Sequence, residues 1–261
     1  GSIRARANAL MTDAAEQQKQ GNAEEAGILV DKAIAADNSW SVPRFAKGQL
    51  LITQGKEPEA VALLEETAKL FPKDPEAGLI LLRTGMTLKI KPEYEEIARK
   101  VIALKPDSGE AHFYLAQTII STGNKAKFEE AKSELEKAAV QGKGQPNIPV
   151  EKAHLAILMS DFGNAIPNLN EALDLVTSMQ GKENPIRIVI NRRDIALYMS
   201  QAYAGLKDAA NQKTWADKAA KMDEKIKRVE ALKNKLTGKT PDMAAQTDMK
   251  AIMDDPTFPD Y

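Results

Sequence analysis

No cysteine occurs anywhere in the sequence, so disulfides, thiolate zinc sites and cysteine nucleophiles are excluded together. Histidine is nearly as scarce: His112 and His154 are the only two, too few for a multi-histidine metal centre. Aromatic residues make up 5% of the 261, and the 15 glycines and 13 prolines are too few for a collagenous or low-complexity chain. An excess of charge of either sign is also missing. Lys plus Arg number 36 against 37 Asp plus Glu, a net charge of −1, so no global field attracts nucleic acid and none is expected as a partner. Apolar runs fall short of the roughly eighteen residues that a membrane-spanning helix requires.

What is present is an ordinary folded composition, 43% hydrophobic and 28% charged, long enough for one or two domains or one elongated repeat array. Gly1-Ser2 reads as a cloning remnant, and Ile3-Arg4-Ala5-Arg6 enters a helix-like pattern at once, so more protein is expected upstream. The lack of cysteine suits a periplasm or a cytosol equally.

An internal period organises the chain. Phe71-Pro72-Lys73-Asp74 and Lys105-Pro106-Asp107-Ser108 are 34 residues apart, and another step of 34 backwards reaches Asn38 in the helix-ending Ala36-Asp37-Asn38-Ser39. The same spacing separates Gly21 from Gly55, Ala26 from Ala60, and Val30, Leu64 and Ala98 from one another in turn. Each period holds two helical segments. This pattern resembles the tetratricopeptide repeat (TPR) family.

That family places small residues at positions 8 and 20 of each repeat, where the two helices approach closely, with bulky residues at 11 and 24 and Ala at 27. Counting repeats from residues 7, 41, 75 and 109, position 8 holds Ala14, Gly48, Leu82 and Ala116. Position 20 holds Ala26, Ala60 and Tyr94, then Ala131 after a three-residue insertion near Lys125-Ala126-Lys127. Position 27 holds Ala33, Thr67, Val101 and Ala138. In the third repeat Leu82, Gly85 and Tyr94 exchange large and small.

The resemblance implies an all-α fold, a right-handed superhelical solenoid of antiparallel helix pairs with a C-terminal capping helix and tail. Four repeats are expected at 7–40, 41–74, 75–108 and 109–140, then a loop at 141–149 and two less regular helical pairs over 150–222. A capping helix at 223–236 and an acidic tail bearing prolines and aromatics at 237–261 complete the chain.

Local signals support helices throughout. Asn22 with Glu25 reads as a capping box. Asp74-Pro75, Asn184-Pro185 and Thr240-Pro241 each set a capping residue before a first-turn Pro. Gly21, Gly55 and Gly123 sit where one helix turns into the next. Ile186-Arg187-Ile188-Val189-Ile190 alternates like a strand but follows a helix start and is read as helix. An irregular pair is expected near 150–161 and 164–180, with Pro167 in the first turn of its second helix. Over 185–222, Leu197, Met199, Ser200, Ala202, Tyr203, Ala216 and Ala219 recover the family spacing.

No catalytic constellation, cofactor site or metal site emerges. Thr237-Gly238-Lys239-Thr240 carries the end of a phosphate-binding loop, but Lys233 stands where its first Gly belongs and no strand precedes it. His112 and His154 have no carboxylate at i+3 or i+4 and read as packing residues, and Asp254-Asp255 are adjacent in a polar tail. The 218–239 stretch carries eight Lys or Arg against Asp223, Glu224 and Glu230, a basic helix read as a solvated face.

In the TPR family the first helices line a groove through positions 2, 5, 9, 12 and 13. Here position 5 holds Met11, Phe45, Leu79, Phe113 and Leu197; position 9 includes Gln49, Arg83, Gln117 and Gln201; position 12 includes Ile52, Met86 and Ile120. An apolar stripe flanked by amides fits a peptide or protein segment with apolar anchors. The Lys and Asn clamp by which some TPR domains hold chaperone tails is absent. The resemblance therefore implies a non-catalytic adaptor or assembly scaffold, with bacterial cell-envelope assembly or secretion as its setting and the periplasm, or alternatively the cytoplasm, as its compartment. The alternative is a self-assembling structural protein that forms homo-oligomers through its groove and terminus. Residues 254–261, with Phe258, Tyr261 and two prolines, are expected to dock on such a groove or to form a free end.

Overall fold

A computed structural model of the chain describes residues 2–236 and 243–254. Among the described residues there is no strand. The helices are α1 (Ile3–Lys19), α2 (Ala23–Ala36), α3 (Val42–Thr53), α4 (Glu57–Leu70), α5 (Pro75–Leu88), α6 (Tyr94–Leu104), α7 (Gly109–Thr122), α8 (Phe128–Gln141), α9 (Asn147–Leu158), α10 (Phe162–Ser178), α11 (Pro185–Gly205), α12 (Ala209–Leu236) and α13 (Met243–Met253). A single 3₁₀ turn, Lys125–Lys127, occupies the expected insertion.

The chain divides into two compact units, Gly1–Asn124 and Lys125–Tyr261, so the break falls inside the 109–140 window. In the first unit each of α1 to α7 packs on the next, and α5 also touches α7 directly. The small residues sit at these contacts: Ala26, Ala33, Ala60 and Ala98 are at most 1% exposed. Gly48 lets the Leu64 side chain approach so closely that a Cβ there would lie 3.1 Å from its Cδ2. In the second unit α8 to α12 pack in sequence, α9 also meets α11, and α13 folds back on α12. Ala153, Ala165, Leu169, Ala172, Val176 and Ile195 form its dry centre.

Helix starts follow the expected chemistry in part. Asp74 accepts from Glu76 N–H at 3.0 Å and Asn184 from Ile186 N–H at 3.1 Å. Asn22 does not cap α2; its amide instead donates to Gln17 Oε1 at 2.8 Å, so the capping box does not form. Thr240-Pro241, like all of Thr237-Gly238-Lys239-Thr240, lies outside the described residues.

Several boundaries differ from expectation. The loop expected at 141–149 shrinks to 142–146, because Ile148 and Pro149 are buried in the first turn of α9. Helix α10 begins at Phe162, which moves Pro167 from the first turn into the second. The 223–236 segment is not a separate cap but the end of the 28-residue α12. The tail contains α13, and Ile226, Val229 and Leu232 of α12 are buried along the stretch where α13 packs. Residues 255–261, and with them the docking expected of the tail, lie outside the described residues.

Candidate first-helix binding face

The turn between the helices of a pair fixes which side chains the first helix presents. Gly21, Gly55 and Gly123 have φ of 81°, 72° and 68°, all at position 15 of their repeats. The next residue closes each of the first two turns: Asn22 N–H donates to the Gln17 carbonyl at 2.9 Å and Lys56 N–H to the Leu51 carbonyl at 2.8 Å, the Schellman pattern. Ser160 and Lys207 adopt the same left-handed conformation, each with φ 59°. Their turns close identically, Asp161 N–H on the Ala156 carbonyl at 2.8 Å and Asp208 N–H on the Tyr203 carbonyl at 2.9 Å.

These two turns set the register of the later pairs. Counting back from Ser160 starts a repeat at 146, which puts Ala153, Ala165, Leu169 and Ala172 at positions 8, 20, 24 and 27, all 0% exposed. Lys207 likewise fits a repeat starting at 193, the phase that places Leu197 at position 5. A search for glycine at the turn overlooks both.

The face-lining residues divide by burial. Leu79, Met86, Phe113 and Ile120 are no more than 8% exposed. Leu79 packs with Val101 and Ala111, and Met86 Sδ accepts from the Thr118 hydroxyl of α7 at 3.7 Å. They are packed into the helix contacts rather than free as anchors. Met11, Phe45, Ile52 and Gln117 are half-buried, Met11 against a cluster of Ala14, Val30 and Leu50. Gln49, Arg83, Leu197 and Gln201 are exposed.

Arg83 is already engaged. Its Nε and Nη2 donate to the two oxygens of Glu110 on α7 at 2.7 and 2.8 Å, and Tyr114 Oη donates to Glu110 at 3.1 Å. Glu110 bonding raises the Arg83 pKa, and burial, reinforced by Glu110, raises that of Tyr114. In repeat terms, a base at position 9 holds the acid at position 2 of the following repeat, beside its position-6 tyrosine.

Two of these three positions, 9 and 6, meet again in the second unit. With starts at 146 and 193, position 9 is His154, position 2 of the next repeat is Asp194 and position 6 is Tyr198. The His154 and Tyr198 rings lie with centroids 5.0 Å apart, tilted by 32°. The carboxylate partner of His154 is Glu151 at i−3, 3.2 Å from Nδ1, on the side that an i+3 and i+4 search passes over. Burial, then Glu151 and Asp194, push the Tyr198 hydroxyl up to about 12. His112, by contrast, is a buried packing residue whose Nε2 lies 2.8 Å from the Pro106 carbonyl.

Elsewhere the polar groups are largely structural. A cavity of about 530 Å³ lies on the second-helix side of the first unit, between α4 and α6, lined by Phe71, Leu81, Tyr94, Ile97 and Val101. Lys91 at its edge pairs with Glu65 at 2.8 Å. In the basic stretch Lys227 pairs with Asp223, Arg228 with Glu224, and buried Lys225 donates to the Met253 carbonyl, so much of its charge is met within the unit. Among the described residues no three His, Asp or Glu side chains cluster as metal ligands, and no helix is long and apolar enough to cross a membrane.

No protein-family model matches the sequence, and no curated protein does. Solved structures do match in fold. PilW, a widely conserved type IV pilus biogenesis factor, aligns with TM-score 0.61 at 14% identity, over 93% of this chain and 98% of its own. Pseudomonas aeruginosa PilF aligns with TM-score 0.56 at 16% identity, over 95% and 98%. YrrB, a TPR protein with an unusual peptide-binding site, aligns with TM-score 0.53 at 17% identity, over 64% and 84%. The chain has the TPR-like, all-α helical-repeat fold.

Proposed function

We propose that this chain is a non-catalytic interaction adaptor that holds a partner segment on the first-helix face. The observation that carries the reading is the reachable row on α1 and α3, where half-buried Met11, Phe45 and Ile52 alternate with exposed Gln49. Side chains of this kind give an extended or helical segment apolar pockets and amide partners for its backbone. Leu79, Met86, Phe113 and Ile120 serve as the floor, and Gln117, Leu197 and Gln201 continue the lining in their own units. Arg83 contributes through its pair with Glu110 rather than as a free receptor for a carboxylate.

The fold shared with PilW, a type IV pilus biogenesis factor, supports cell-envelope assembly in the periplasm as the setting. The experiment is selection of a random peptide library on the wild-type chain and on Phe45→Glu, with helicity checked for both. Peptides enriched on the wild type are expected to lose binding to the variant at unchanged helicity. Enrichment that is indifferent to Phe45→Glu and to Gln49→Ala refutes the reading.

A further inference from the structure

We propose that the cavity between α4 and α6 is a binding site for a small, uncharged molecule with a hydrocarbon body. It lies wholly within the first unit, on the second-helix side, and no part of the proposal depends on the adaptor reading. Its volume of about 530 Å³ falls within the range of about 300–1,000 Å³ typical of small-ligand pockets. An apolar cavity of roughly 150 Å³ already accepts benzene.

The opening has a cause in the chain. Helices α2, α4 and α8 each have 14 residues, whereas α6 has 11, because Lys89 is extended with φ −159° and helix resumes only at Tyr94. Where a further turn of α6 would lie, Lys91 of the connection meets Glu65 of α4 at 2.8 Å. The gap does not close by a shift of α6, which is seated on α5 at both ends. An added Cβ at Gly78 would lie 2.5 Å from Val101 Cγ2, and one at Gly85 2.7 Å from Tyr94 Cζ. Such close-packed contacts leave α6 no room to roll toward α4.

The apolar lining grades from floor to mouth. Leu81 and Val101 are buried, Ala68, Phe71 and Ile97 half-buried, and Leu104 is 43% exposed. The charged lining is three lysines, Lys69, Lys91 and Lys100, against Glu65, Asp74, Glu93 and Glu96. Lys91 pairs with Glu65 and Lys100 with Glu96 at 3.0 Å. Asp74 accepts from the Ser41 hydroxyl at 2.7 Å and from Glu76 N–H at 3.0 Å, as the cap of α5. The two that remain, Lys69 and Glu93, are exposed and opposite in sign. The rim therefore holds no spare charge of one sign for an ion, and few polar groups for the backbone of a peptide. Water over the apolar floor has few partners, so a hydrocarbon group that displaces it gains affinity.

The test uses the full chain and the uncharged fluorophore N-phenylnaphthylamine, displaced by decanol, decanoate or decylammonium, each below its micelle concentration. The dye is expected to bind and decanol to displace it, with both ions weaker by about threefold or more. Ala68→Phe, which fills the cavity from α4, is expected to abolish dye binding at unchanged helicity. Leu104→Lys is an exposed change at a helix C-terminus, where a cation is tolerated, and serves if Ala68→Phe does not fold. It is expected to weaken decanol and strengthen decanoate. Phe45→Glu, on the first-helix face, is expected to change none of these results. The proposal is overturned by absence of dye binding, by an ion that competes as well as decanol in the wild type, by indifference to either folded cavity variant, or by loss of binding in Phe45→Glu.

Discussion

Gly85→Ala is expected to destabilise the protein, although the same change in an ordinary helix interior stabilises by about 0.5–1 kcal/mol. The reason is the inverted packing of the third helix pair. A Cβ placed on Gly85 would collide with Tyr94 Oη and lie 2.7 Å from Cζ and 3.0 Å from Cε2. Tyr94 is 1% exposed and lies in the first turn of α6, so the ring must move by roughly an ångström within a full interior. Overpacking of this kind costs about 1–3 kcal/mol. Subtracting the helix gain leaves a net loss of about 0–2.5 kcal/mol, centred a little above 1.

Tyr94→Phe separates the two parts of the clash. The Tyr94 hydroxyl makes no hydrogen bond among the described residues, and an unmet buried hydroxyl costs about 1–3 kcal/mol, so its removal is expected to leave stability equal or higher. In that background the collision with the hydroxyl is gone, the nearest contact of a Cβ added at Gly85 is the ring carbon at 2.7 Å, and the Gly85→Ala penalty shrinks. Urea unfolding of the four proteins, followed by far-ultraviolet circular dichroism, gives the coupling, expected at about 0.5–1 kcal/mol. A Gly85→Ala protein more stable than the parent would refute both the close α5/α6 approach and the register of the third repeat.

Three further outcomes are expected. Ser160→Gly and Lys207→Gly should each raise stability by about 0.5–1 kcal/mol, because both residues occupy the left-handed region at φ 59°; a lower unfolding midpoint in either would contradict the shared turn. In alkali, the unfolded chain ionises its tyrosines near the ordinary value of 10.0 while Tyr198 stays protonated to about 12 in the fold. The native state then binds more protons, so stability should fall as pH rises through that window, and Tyr198→Phe should flatten the slope of the urea midpoint against pH. Ending the chain at Leu236 should strip hydrogen-exchange protection from 222–232, where Ile226, Val229 and Leu232 are buried and Lys225 Nζ bonds the Met253 carbonyl at 3.2 Å; unchanged protection would deny α13 any capping role.

The fold was legible wherever glycine or alanine recurs at a fixed interval, because those residues are demanded by geometry rather than by fashion of sequence. Gly21, Gly55 and Gly123 mark left-handed turns, and Ala26 and Ala60 mark close helix approaches. The pair at 146–179 was not legible in this way: its turn residue is Ser160, and its small and bulky positions only align once that turn is found. The third repeat showed its exchange of large and small in sequence, but the late start of α6 at Tyr94 depends on Lys89 being extended, with φ −159° where the other turns are left-handed. Of the face residues, the sequence placed the positions but not their depth, since Leu79 and Phe113 share one position with Phe45 yet are covered by neighbouring helices.

Reading the face one repeat at a time also hides what the position-9 side chains do. Arg83 reaches 27 residues on, to position 2 of the following repeat, so its contact joins two repeats and is not contained in a column of equivalent positions. At the second junction the equivalent step runs from His154 to Asp194, 40 residues, because the N-terminal part of α11 is inserted between the two repeats. A fixed period therefore points from His154 to the wrong residue, and the correspondence with Arg83 and Glu110 returns only when both ends are counted from their own left-handed turns. Arginine at position 9 of one pair and an imidazole at position 9 of the other thus give two chemically different junctions, each within its own unit.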